Sequence, residues 1–219
     1  MFKKLIDNFL TKSYHKDILE LMTSSDFDWY YNNNIASGSL VSSTNLNEYG
    51  FAHTFWHKMT GQRNTPHSHF IKPLLYQIMD VANRDFILRA RADMVTWSKE
   101  DYIHQAHVDF EVSNIAAVFY VNETDGDTVF YNIKPEDVPK NKDYKNLKEY
   151  DRVSPKANRL VLFDGNLLHA GCSPTNHKTK ILINSNFIKS ENAEEYQKYM
   201  EERMNNYGQK TIQHWMHNV

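Results

Sequence analysis

The sequence predicts an α+β domain with a β-sandwich or barrel at its centre. Three features point there. Residues 1–84 carry helical hydrophobic spacing interrupted by polar loops. Residues 85–190 switch to the period-two alternation of strands, and residues 191–206 return to a helical pattern. At 219 residues the chain suits one domain spanning 1–219. It divides into a helical and loop N-terminal part (1–84), a β core (85–190) and a C-terminal helix (191–219).

Taken in order, Phe2, Leu5, Ile6, Phe9 and Leu10 space as one helix face. Ile18, Leu19, Leu21 and Met22 continue it after a break near Thr11–Ser13. Trp29–Gly50 is rich in Asn and Ser and reads as loops with short strands. Across 67–83, Phe70, Ile71, Leu74, Leu75, Ile78 and Met79 share a helical stripe. Pro73 marks either the start of that helix or a kink in it. Phe86–Trp97 alternates as a strand; Asn114–Asn122 and Asp127–Tyr131 follow, with Asp125-Gly126 as the turn between them. Residues 132–157 are polar, Lys-rich and punctuated by Pro: a solvated excursion, or a lid. Arg159–Asp164 and Lys180–Phe187 read as strands. The final amphipathic helix places its acidic residues at its start, where the helix dipole favours them.

Composition excludes several classes. Hydrophobic residues are 41% and charged residues 24%, which argues against disorder, collagen or coiled coil. A net charge of −2 leaves no strong nucleic-acid signal, because nonspecific binding rests on a basic face that neutralises phosphates. The lone Cys172 allows neither an internal disulfide nor a thiolate-rich zinc site. No run reaches the ~18 apolar residues of a membrane span. The start, MFKKLIDNFLTKSYHKD, is too short and interrupted for a signal peptide. The expected setting is reducing and cytoplasmic, the host cytoplasm if the gene belongs to a phage.

Chemistry concentrates in IHQAHVDF. His107 and Asp109 form a His-x-Asp pair where strand pattern begins, and on extended chain residues i and i+2 point the same way. His15-Lys16-Asp17 has the same spelling but lies in a helical pattern, where i and i+2 diverge and cannot share an ion. His169 stands just past a buried-looking strand and an Asp-Gly turn. With His107 and Asp109 it completes a two-His, one-carboxylate triad that suits non-haem iron(II), although a zinc hydrolase could use the same set. Lys180 opens the next strand, eleven residues after His169. A buried cation there could pair the distal carboxylate of a dicarboxylate cosubstrate, which a zinc hydrolase does not need.

In this order and spacing the chain resembles the iron(II)/2-oxoglutarate-dependent dioxygenases, in their prolyl 4-hydroxylase-like branch and among small phage and bacterial members. The carrying residues are His107-x-Asp109, Tyr120-Val121-Asn122, Gly126-Asp127-Thr128, His169-Ala170-Gly171-Cys172 and Lys180, over roughly 85–190. The resemblance implies a double-stranded β-helix, jelly-roll or cupin-like, flanked by N-terminal helices and a C-terminal helix. It implies iron(II) on His107, Asp109 and His169, with 2-oxoglutarate and O2 as cosubstrates and ascorbate as an auxiliary reductant. Lys180 matches the residue that takes the 2-oxoglutarate C5 carboxylate, with Lys178 as competitor at the usual spacing. Lys180 is preferred because the apolar strand begins immediately after it. Tyr120 matches a tyrosine that bonds the same carboxylate, and Asn184 lines the pocket on the same strand face. His104 stands where relatives often carry Tyr. The implied reaction hydroxylates a C–H bond of a small molecule, peptide or protein, a peptidyl prolyl or other side chain among them.

Two rivals stand beside it: a cupin-type metal enzyme that does not use 2-oxoglutarate, and a non-catalytic β-barrel for binding or scaffolding. The bland readings are equally specific. Arg89 and Arg91 read as ion-paired, Tyr120 as a core aromatic, Cys172 as a buried filler, and His53 with His57 as a chance pair at helical spacing.

Overall fold

The computed structural model describes residues 3–36, 47–57, 66–110, 112–133, 147–199 and 201–202. Two antiparallel sheets form its centre. The larger is built from β1 (Lys3–Ile6), β2 (Tyr30–Asn32), β3 (Gly50–His57), β4 (Phe86–Thr96), β5 (Ile115–Tyr120), β8 (Arg159–Asp164) and β10 (Thr179–Ile188), in the order β1-β8-β5-β10-β4-β3-β2. The smaller is β6 (Thr128–Tyr131) between β7 (Glu149–Val153) and β9 (His169–Gly171). Bridges at Ile103–Cys172 and His107–His169 extend it by a fourth, broken strip.

Alternation assigns each strand two jobs. In β4, Ala90 and Ala92 turn outward, into a core with Ala117, Phe119, Ile181 and Ile183 of the neighbouring strands. Helices α1 (Lys12–Thr23) and α2 (Pro66–Ala82) cover that face with Ile18 and Met22, and with Ile71, Leu74, Leu75 and Ile78. The opposite face of the large sheet carries Ala116, Val118, Tyr120, Val161 and Leu182. These pack on Phe130, Val153 and Leu167 from the small-sheet side.

Where the chain departs from its local pattern, long-range pairing is the reason. The expected helix over the first ten residues is instead a strand from Lys3 to Ile6, in register with Phe163–Leu160 of β8. Nine or ten residues make a marginal helix, whereas the open edge of β8 offers a full ladder. The break comes where expected: Thr11 caps α1, accepting from Tyr14 N. Asn158, at φ 63°, clamps the entry, its side chain accepting from Leu10 N at 2.8 Å and donating to Leu10 O at 2.9 Å. Pro73 neither starts nor ends α2, which runs through it.

The N-terminal part thus contributes three strands as well as helices. His53 and His57 lie on β3, not on a helix. In the 132–157 excursion, β7 pairs with β6 through Thr128–Val153. Residues 134–146, where a lid would sit, lie outside the described residues. The C-terminal helix begins at 193, after a 3-10 turn at Ser190–Asn192, and it seats Tyr196 against Phe110 and Ile188. Its expected end, beyond 202, lies outside the described residues.

Candidate active site

His107, Asp109 and His169 come together between the sheets, each offering one ligand atom within 4.8 Å of the others. The backbone does part of this. His107 and His169 are bridge partners, with reciprocal N–H···O bonds of 2.9 and 3.0 Å. Their ring centroids stand 4.8 Å apart. His107 Nδ1 is 3.0 Å from Gln105 O, and His169 Nδ1 is 3.0 Å from Leu167 O. A carbonyl only accepts, so both Nδ1 atoms carry the proton and both Nε2 atoms present a lone pair to the shared space. Burial and the adjacent His169 ring lower His107 to about 4, which keeps that imidazole neutral as a ligand must be.

The Asp109 side chain is buried, only 3% exposed. Burial alone would raise its carboxyl. The Arg89 guanidinium, 2.6 Å from Oδ1, together with the surrounding donors, holds it instead well below the usual carboxylate range. Two imidazole nitrogens and an ionised carboxylate fit a divalent iron with positions to spare.

Lys180 is fully buried, and its Nζ donates to the backbone carbonyls of Gly126 (2.7 Å) and Cys172. Burial lowers its pKa to about 8. It lines a cavity of about 70 Å³ whose wall includes His107, His169, Thr128, Leu182 and Asn184. Lys178, the competing cation, is exposed. Gly126 makes the turn at φ 89°, and a side chain there would run into Cys172 O. Tyr120 is fully buried, and its hydroxyl sits 2.7 Å from Thr128 Oγ1. Thr128 is the hydroxyl on the cavity wall. Asn184 lines the cavity too, with its amide 3.2 Å from Asp109 Oδ2. It therefore shares the cavity with Lys180 and also meets the triad.

Other residues complete the wall. Arg91 pairs with Asp93 at 2.7 Å, and burial pushes the Asp93 carboxyl up despite it. His104 Nε2 is 3.1 Å from Ser173 Oγ, and its Nδ1 is 3.6 Å from Glu48, which accepts from the Tyr102 hydroxyl at 2.7 Å. Trp97 is 55% exposed and donates to Thr175 O, away from the cavity. His15, the chance His-x-Asp, lies on α1 with Nε2 2.8 Å from Val121 O.

Reading along the chain missed Asn186, Glu48, Asp93 and the ligand-directed role of Arg89. One signal was present: Lys180, Asn184 and Asn186 are polar positions of one parity in a strand whose other parity carries Ile181, Ile183 and Phe187.

Residues 94–188 match the family model described as the 2OG-Fe(II) oxygenase superfamily. No curated protein matches the sequence. Solved structures match at low identity. A prolyl hydroxylase from Trichoplax adhaerens, in complex with a hypoxia inducible factor oxygen degradation domain peptide fragment, has a TM-score of 0.56 at 15% identity. The match covers 86% of this chain and 84% of that one. The non-heme alpha ketoglutarate dependent epimerase SnoN, from nogalamycin biosynthesis, has 0.59 at 9%, covering 86% and 78%. A Pseudomonas putida prolyl-4-hydroxylase has 0.55 at 10%, covering 85% and 92%. At such identities the likeness bears on the fold, a double-stranded β-helix.

Proposed function

We propose, from the match of residues 94–188 to the 2OG-Fe(II) oxygenase family model, that this protein is a non-haem iron(II)- and 2-oxoglutarate-dependent dioxygenase that hydroxylates its substrate. The observation that carries the reading is one cavity lined both by the His107 and His169 donors and by the buried Lys180. His107, Asp109 and His169 would hold the iron, and Lys180 the distal carboxylate of 2-oxoglutarate. Iron(II), when bound, lets O2 convert 2-oxoglutarate to succinate and CO2 while one oxygen atom enters a substrate C–H bond.

The chain's own residues orient and enclose. The Nδ1 hydrogen bonds fix both imidazole planes before any ligand arrives. Lys180 aims a charge at the bottom of the cavity. Val118 and Leu182, both buried, add apolar surface to the cavity that Lys180 lines, which strengthens that charge's pull on an anion. The substrate we propose is a side chain of a peptide or protein, prolyl first among them. The peptide held by the Trichoplax adhaerens structure supports this choice. Among the described residues no helix is long and apolar enough to cross a membrane. A cytoplasmic setting, which keeps iron(II) and Cys172 reduced, belongs to the same proposal.

The test is succinate release from 2-oxoglutarate, with and without ascorbate, over a panel of peptides, free amino acids and nucleobases. Beside it, anaerobic addition of iron(II) and 2-oxoglutarate should raise a weak visible charge-transfer band that His107→Ala abolishes. No band with the intact protein would favour the scaffold. An unchanged 2-oxoglutarate dependence in Lys180→Ala would favour the cupin-type enzyme.

A further inference from the structure

Of the three triad residues, Asp109 has the least backbone support. His169 belongs to β9, and His107 is bridged to it. Asp109 follows in irregular chain, outside the named strands. What meets its carboxylate is a set of side-chain donors from the large sheet. Arg89 Nη2 donates to Oδ1 at 2.6 Å. Asn186 Nδ2 donates to Oδ2 at 3.0 Å, and Asn184 Nδ2 donates to the same oxygen at 3.2 Å. Arg89 and Asn186 are direct cross-strand partners on β4 and β10, and Asn184 is paired with Arg91, the next position on the same face. All three donors therefore stand on one rigid, doubly hydrogen-bonded piece of sheet.

Two of the donors are themselves braced. The Arg89 guanidinium lies over the Phe110 ring, 5.1 Å from its centroid. Asn186 is fully buried and also donates to Asn114 Oδ1 at 3.2 Å. The Asn114 amide in turn donates to Val112 O at 2.8 Å. This polar chain reaches back into the 112–114 segment that returns from Asp109 to β5.

We infer that Arg89, Asn184 and Asn186 are positioning residues for the third metal ligand, fixing the Asp109 carboxylate and restricting it to one oxygen toward the metal. The inference rests on the oxygenase reading above. A carboxylate offers about four lone-pair directions, and three donors leave about one of them free. A carboxylate without these donors could turn and chelate, and chelation would fill one of the three positions that a two-His, one-carboxylate set leaves open.

The test measures metal binding, not turnover. Iron(II), anaerobically, and cobalt(II) as an air-stable probe are titrated into the purified full chain by calorimetry and visible absorption. The proteins are wild type, Arg89→Met, Arg89→Lys, Asn186→Ala and Asn186→Ser, each also in an Asp109→Ala background. Loss of one such partner is expected to weaken metal affinity about 10- to 100-fold and to change the cobalt(II) visible spectrum. Arg89→Lys should recover part of the loss. In the Asp109→Ala background the same changes should have no further effect. Asn186→Ser and Arg89→Lys are the mild variants, so a folded protein with a reduced network is in hand even if Arg89→Met leaves Asp109 too poorly compensated to fold. Wild-type affinity in the folded variants, or an equal loss with Asp109 already gone, overturns the inference alone. A wild-type chain that binds neither metal overturns it together with the oxygenase reading.

Discussion

Lys180→Met should raise the KM for 2-oxoglutarate by roughly two orders of magnitude while the fold stands. Lys180 is fully buried, and its nearest acceptors are the carbonyls of Gly126 and Cys172. Those two take two of its three N–H groups, and the third is left for a ligand. Truncating one partner of a buried charge pair costs about 2–5 kcal/mol. At about 1.4 kcal/mol per decade, a mid-range loss of about 3 kcal/mol is roughly 150-fold. Met keeps the length and packing of the stem. The two carbonyls each lose a donor, at about 1 kcal/mol apiece, but the cost of burying an ammonium disappears, so the melting temperature should move little.

The pH dependence follows from the same burial. Desolvation lowers the Lys180 pKa from 10.5 to about 8. The free protein therefore loses its cation as pH rises through about 8, and KM for 2-oxoglutarate should climb up to about tenfold per pH unit beyond it. Stability runs the other way. Between about 8 and 10.5 the unfolded chain holds a proton that the folded chain has released, so folding is favoured as pH rises across that window. Lys180→Arg keeps the charge at every such pH and should flatten the KM profile. The assay is succinate release against 2-oxoglutarate concentration from neutral to alkaline pH. A Met variant with unchanged KM, or a wild-type KM that stays flat well above pH 8, would refute the reasoning.

Two further outcomes concern the frame around the site. Gly126→Ala puts a Cβ about 2.7 Å from Cys172 O at a φ of 89°, so about 2–3 kcal/mol of stability and roughly 5–10 °C of melting temperature should be lost. 2-Oxoglutarate binding should weaken with it, since the Gly126 carbonyl holds Lys180; a melt equal to wild type would contradict this. Asp7 accepts from Arg159 and Lys156, whose hydrogen bonds lower its carboxyl from 3.8 to about 2. Its contribution is present above about 3.8 and lost as pH falls toward 2, so Asp7→Asn should melt lower than wild type at neutral pH and converge with it in acid. A gap that persists unchanged in acid would assign the difference to something other than this charge.

Some of the molecule is legible one residue at a time. The strand β10 declares itself through Lys180, Leu182, Asn184 and Asn186 on one parity and Ile181, Ile183 and Phe187 on the other. The α2 stripe of Ile71, Leu74, Leu75 and Ile78 is buried as its spacing requires. The expected strand at His107-x-Asp109 is instead irregular chain with one bridge at His107, because only that residue finds a cross-strand partner; His15 lies on a helix, and the structure places only His107 and Asp109 with His169. Local pattern misleads at Lys3–Ile6, where apolar spacing favours a helix and β8 imposes a strand. It also says little about β3, whose pairing with β4 is a property of the sheet.

The sequence by itself determined the periodicities, and with them the order of helices and strands in the core and the residue types of the site. Which side chains touch was decided only in three dimensions. Arg89 could have been a solvated strand residue, and its contact with Asp109 spans twenty positions. Glu48 meets His104 across a still longer separation, and Thr128 rather than Tyr120 reaches the cavity wall. The physical reason is that period and propensity act over a few residues. Charge pairing and hydrogen-bond satisfaction act over a few ångströms, and it is the register of β4 on β10 that turns one distance into the other.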